Sequence, residues 1–191
     1  MQSFLRKRGF TIIEVVLVLA IAGLIFLAVF IAFPNLQKAQ RNTQRKEEAS
    51  KIFSAIQQYH TNNNKMPFTM GDKDNADRLD KNFFKNYLDS ECTIEPDHTS
   101  QYGDDHYQLQ NCKDFVDPTG QQYKVTVLVG NSGGFNYDVS ELQGGEIVLG
   151  AGTACGNTFG TDTNRKANGS KDSFLVMIAL EGQQYYCIDN E

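Results

Sequence analysis

FTIIEVVLVLAIAGLIFLAVFIAF, residues 10–33, holds a single charge, Glu14, among its twenty-four residues. As a helix rising 1.5 Å per residue it would be about 36 Å long, enough to cross a hydrocarbon core of about 30 Å. Everything after Asn35 is polar enough to stay in water, so the two parts of the 191-residue chain belong in different solvents. Arg6, Lys7 and Arg8 stand just before the apolar run and should hold that end in the cytoplasm. Lys38, Arg41, Arg45 and Lys46 follow it, blurring the bias without reversing it. An ordinary secretory signal peptide has an apolar core of about 7–15 residues closed by a small-x-small site. This run is longer, no such site closes it, and Glu14 would be a poor choice for a disposable core.

The residues at its upstream edge are more specific. Arg8-Gly9-Phe10-Thr11-Ile12-Ile13-Glu14 resembles the class III signal of type IV prepilins and pseudopilins. The resemblance covers roughly the first 60 residues and implies a fate for each part. A membrane peptidase would cut between Gly9 and Phe10, and the new N-terminal Phe10 would be N-methylated. Glu14, fifth from Phe10, would act in assembly. Residues 1–9 would be the leader and 10–34 the transmembrane and filament-core helix. Gly23 matches a frequent helix-weakening glycine of pilins, whereas their usual proline would fall at Ile31 and this chain has Pro34 instead. The interval from Gly23 to Pro34 is either a stretch able to unwind on packing or a kink at the membrane surface.

The implied function is that of a structural subunit of a cell-surface filament serving adhesion, motility or DNA uptake. The alternatives are a type II secretion pseudopilin, or a minor tip pilin whose head is a binding module. The implied partners are further copies of the chain, the prepilin peptidase, the inner-membrane assembly machinery, and membrane lipid before assembly.

Downstream, residues 35–60 lack Pro and Gly and are rich in good helix formers, so the spacing predicts an amphipathic helix entering the head. Residues 37–48 have no wide apolar face, and Glu47 and Lys51 are spaced as a helix pair. Ala49, Ile52, Phe53, Ile56 and Tyr59 then form one apolar stripe able to lie on a sheet. Residues 61–120 read as a wrapping loop with one short helix near Leu79–Leu88. Strands are expected at Tyr123–Val129, Gly145–Leu149, Ser173–Leu180 and Gln184–Ile188, with Glu181-Gly182 closing a hairpin between the last two. The fold class is therefore α+β: a long N-terminal helix on a small antiparallel sheet, with residues 61–191 as the globular head.

Cys92, Cys112, Cys155 and Cys187 all lie beyond the apolar run, and none is spaced as C-x-x-C. An even number on the non-cytoplasmic side favours disulfides. Spacing alone does not choose among three pairings; the expectation adopted is Cys92–Cys112 with Cys155–Cys187, the second clipping the loop after the third strand to the last strand.

Chemistry-bearing patterns are weak elsewhere. Asp72, Asp74, Asn75 and Asp77 miss the ligand and the glycine that an EF-hand needs at its fifth and sixth positions, and Thr161–Asp172 offers a thin ligand set. The GxGxxxG run Gly150–Gly156 is followed by no helical pattern, so it makes no anion site. His60, His98 and His106 are scattered, and no nucleophile elbow or HExxH is present. Asn168-Gly169-Ser170 is a formal sequon of low specificity. No metal, cofactor or enzymatic activity is expected. Residues 61–191 carry ten Lys/Arg against twenty Asp/Glu, which argues against nucleic acid as the main partner.

Overall fold

The computed structural model describes residues 9–68, 80, 82–97, 105–110, 112–113, 115–129, 142, 144–152, 154–155 and 173–190. The chain divides into two compact units, residues 1–40 and 41–191. One helix, α1 (Ile12–Asn63), supplies residues to both.

In the first unit α1 is helical on both sides of Pro34 and through it. The side chains from Phe10 to Leu36 are exposed almost without interruption. The helix is long and apolar enough to cross a membrane, and none of its most apolar stretch is buried within the chain.

In the second unit α1 buries Arg45, Ala49, Ile52, Ala55, Ile56 and Tyr59 along one face. Ala49, Ile52, Ile56 and Tyr59 are members of the stripe expected from spacing, Ala55 joins them, and Arg45 extends the face by one turn at a position where no apolar face was visible. Phe53 lies half-buried beside this face, its ring 4.9 Å from that of Phe174. A short helix, α2 (Phe83–Leu88), packs Phe83 and Tyr87 edge-on or tilted against Tyr59. It occupies the C-terminal part of the stretch expected as Leu79–Leu88.

Six strands follow: β1 (Thr93–Asp97), β2 (Asp105–Gln110), β3 (Lys124–Val129), β4 (Glu146–Ala151), β5 (Phe174–Leu180) and β6 (Gln184–Asp189). They form one sheet in sequence order. Two corrections to the expected architecture follow. The sheet is mixed, because β3 and β4 run parallel while every other pair is antiparallel. The reason is connection length: residues 130–145 separate the two strands, and a parallel return needs a crossover of about a dozen residues or more. Further, β1 and β2 lie within the region read as loop. Their signal was a two-residue alternation (Tyr107, Leu109) too short to stand out among polar neighbours, and Pro96 is tolerated because β1 is an edge strand.

The central strands are apolar on both faces. Val125, Val127, Ile147, Leu149, Val176 and Ile178 join the core formed with α1. Leu128, Val148, Leu175 and Met177, on the alternate positions, form a second cluster with Leu142, Cys155, Tyr185 and Cys187. Burial on both sides is what a sheet with an internal parallel pair requires. The β5–β6 turn takes three residues, Glu181, Gly182 and Gln183, with the last two at φ +88° and +57°. Gly182 makes the first of these inexpensive.

The candidate cation stretches at 72–77 and 161–172, the sequon at 168–170 and His98 lie outside the described residues, as do Thr153 and Gly156 of the glycine-rich run. Gly150 and Ala151 of that run are β4 residues.

Candidate functional site

The helix begins where its first turn can satisfy its own orphan amides. Gly9, Phe10 and Thr11 are non-helical, and α1 starts at Ile12. The Glu14 carboxylate accepts the Thr11 amide at 2.8 Å and the Thr11 hydroxyl at 2.9 Å, both on Oε2. In return Thr11 Oγ1 accepts the Glu14 amide at 3.4 Å. This is a capping box, with Thr11 as N-cap and Glu14 three residues on, worth about 0.5–2 kcal/mol. Its sequence signal is T-x-x-E ahead of an apolar run, a local pattern that coincides here with the prepilin-like position of the same glutamate. The helix dipole adds to the effect, since a carboxylate at a helix N-terminus is stabilised.

Around this cap the surface is apolar. Phe10 is 89% exposed and Ile12 85%. A Cβ built on Gly9 would meet no atom within 4 Å, and Gly9 does not occupy the positive-φ region. Among the described residues nothing therefore demands glycine at position 9. Gly23 is equally open, although a glycine inside a helix costs about 1 kcal/mol relative to alanine.

A second polar cluster lies in the 41–191 unit. Arg45 and Asp117 pair at 2.7 Å, each with its side chain only 2% exposed. Asp117 Oδ1 also accepts the amides of Thr119 (2.7 Å) and Gln121 and the Thr119 hydroxyl, closing the 117–121 turn. Burial pushes the Asp117 carboxyl up, but hydrogen bonds from Thr119 and Arg45 outweigh it and hold the group below its ordinary range. Arg41 donates through Nε and Nη2 to both oxygens of Glu181, a two-pronged pair that raises the guanidinium further. Asn42 accepts the Glu181 amide at 2.9 Å. Arg41, Asn42 and Arg45 thus bolt α1 to two turns of the sheet. Their partners lie 72 and about 140 residues away, which is why spacing could not reveal them. Two of the four cations that blurred the charge bias, Arg41 and Arg45, have these carboxylate partners. The expected Glu47–Lys51 pair is replaced by Lys51–Glu48 at 2.7 Å, the i,i+3 option on the same helix face.

Farther along α1, Tyr59 donates to Asp80 at 2.8 Å, and burial together with that bond lifts its phenol to about 12. Cys92 is joined to Cys112 with Cα atoms 4.0 Å apart, and Cys155 to Cys187 at 6.0 Å. The Cys155 amide additionally donates to Asp189 in β6. Among the described residues no three His, Cys, Asp or Glu side chains converge as a metal set.

Phe10 and Glu14 thus meet at one capped helix start, while the disulfides belong to the other unit. No curated protein and no solved structure matches the chain. Residues 5–30 do match the family model described as the prokaryotic N-terminal methylation motif, and with it this chain carries the class III prepilin signal of type IV pilins.

Proposed function

We infer that this chain is a type IV pilin-like structural subunit, made as a prepilin and built into a cell-surface filament through α1. The observation that carries the reading is the continuous exposure of large apolar side chains from Phe10 to Leu36 in a chain whose other unit buries its core fully. At about 25 cal/mol per Å² of apolar surface, water cannot be the working solvent of that segment. Lipid covers it before assembly, with the basic leader on the cytoplasmic side, and neighbouring α1 helices cover it afterwards. The family that shares the N-terminal motif is structural rather than enzymatic.

The prepilin peptidase cuts between Gly9 and Phe10, and Phe10 is then N-methylated. That no described residue crowds position 9 supports a reader of Gly9 outside the chain. Cleavage leaves a cationic amine on Phe10, at the positive end of the helix dipole. Glu14 is the compensating charge, and in the filament it meets the Phe10 amine of a neighbouring subunit, so that each relieves the other's desolvation. The Thr11 bonds lower the cost of carrying Glu14 into lipid beforehand, a cost of about 2.5–3.5 kcal/mol at mid-bilayer. Two disulfides in the head fit an oxidising compartment outside the cytoplasm, which a surface pilus and a secretion pseudopilus share.

The test is to shear surface filaments, image them, and sequence the main band from its N-terminus. A start at Phe10, with a methylated amine, supports the reading; a start at Met1 or beyond Phe33 refutes it. Trace abundance in the sheared material would make the chain a minor tip subunit.

A further inference from the structure

Two residues could serve as the N-cap of α1, and they stand two apart in the chain. Glycine and threonine rank close together as N-caps, so Gly9 and Thr11 compete for the position. Thr11 takes it: its carbonyl accepts the Val15 amide at 3.4 Å, and α1 starts at Ile12. Thr11 Oγ1 accepts the Glu14 amide, which a helix begun at Gly9 would give to the Phe10 carbonyl. The Glu14 carboxylate accepts the Thr11 amide and hydroxyl in return. A cap at Gly9 would put Ile12 in the third helical position, where its side chain could return no such bond.

The choice of cap decides the state of one peptide bond. With Gly9 as cap, the Gly9 carbonyl would accept the Ile13 amide and the Gly9–Phe10 bond would belong to the first helical turn. With Thr11 as cap, Gly9 and Phe10 are non-helical, Phe10 is exposed, and a Cβ on Gly9 would meet no atom within 4 Å. Hydrolysis adds water across this bond, leaving a carboxylate on Gly9 and an amine on Phe10, and it needs the Gly9 carbonyl free. Where opening and closing are fast, a bond is cut in proportion to the population in which it is open. The prepilin signal, at residues 5–30, spans this same cap.

We propose that Thr11 is a positioning residue for cleavage: its hydroxyl ends α1 short of the Gly9–Phe10 bond and so presents that bond, open, to the prepilin peptidase. The proposal rests on the reading of the chain as a prepilin, and it gives part of the bond's accessibility to the threonine rather than to the glycine alone. Glu14 supports the cap without being essential to it, since Glu14→Val keeps the residue-14 amide that the Thr11 hydroxyl accepts.

The experiment treats the full chain in detergent micelles with purified prepilin peptidase and follows cleavage by mass spectrometry for wild type, Thr11→Val and Thr11→Ser. Valine keeps the branched shape and removes the hydroxyl; serine keeps the hydroxyl. Carbon-13 chemical shifts of Gly9 and Phe10 in the uncut chain report where the helix starts. Thr11→Val should be cut about three- to tenfold more slowly, with those shifts moved towards helical values, while Thr11→Ser matches wild type in both. Thr11→Val cut at the wild-type rate overturns the proposal, and so does Thr11→Ser cut as slowly as Thr11→Val. Slow cutting of Thr11→Val with unmoved shifts also overturns it, for the enzyme would then read the side chain itself. These three results leave the prepilin reading standing, whereas wild type left uncut between Gly9 and Phe10 overturns that reading and the proposal together.

Discussion

The two halves of α1 are equally helical and obey opposite rules. Residues 12–36 are apolar all round and exposed, while residues 45–59 are apolar on one stripe and that stripe is buried. Secondary structure therefore says nothing about which surface is finished. In the second half the sheet supplies the missing partner, and in the first half no described residue does. An unfinished surface of that size is a statement about another solvent or other copies.

This contrast can be broken at Glu14, the one charge in the apolar half. Glu14→Val should leave membrane insertion and Gly9 cleavage largely intact while cutting filament yield at least about tenfold, the loss of a charge pairing worth 1.4 kcal/mol or more. Immunoblots of sheared filaments and of membranes check this, with the variant as the only subunit expressed. Wild-type yield would show that the charge has no assembly role.

The buried half should respond in stability instead. Ile52→Ala and Ile56→Ala, both at fully buried positions, are expected to lose about 2–5 kcal/mol each in denaturant unfolding of the detergent-solubilised chain. Leu24→Ala, on the exposed half, should change head unfolding by less than about 0.5 kcal/mol. Equal losses at Leu24 and Ile56 would erase the distinction between the halves.

Removing either disulfide should cost roughly 3–4 kcal/mol, given the 20- and 32-residue separations. Non-reducing peptide maps check the pairing, and a Cys92–Cys187 peptide would refute it.

A smaller effect is expected from acid. The Asp117 carboxyl titrates below its ordinary value in the folded chain, so its contribution is complete above the unfolded value of about 3.9 and is lost as pH falls through the lower, folded one. Asp117→Asn should flatten the fall in stability below about pH 4; an unchanged acid limb would mean other carboxylates carry it.

The sequence by itself determined everything that depends on composition along a single helix. The apolar run, its basic leader, the Gly9-Phe10 junction with Glu14, and the stripe from Ala49 to Tyr59 are all local patterns with one period. It also reached β3–β6, whose β-branched and apolar runs are long. Thr11 as partner of Glu14 is a local pattern too, three residues away. Only the tertiary structure decided what rests on distant pairing. The parallel turn of β3 onto β4, the two strands among polar residues before them, and the choice of Asp117 and Glu181 as partners for Arg45 and Arg41 have no local signature. The physical reason is that periodicity records which face a residue turns inward, whereas a buried charge is tolerable only when the fold brings its counter-charge from elsewhere in the chain.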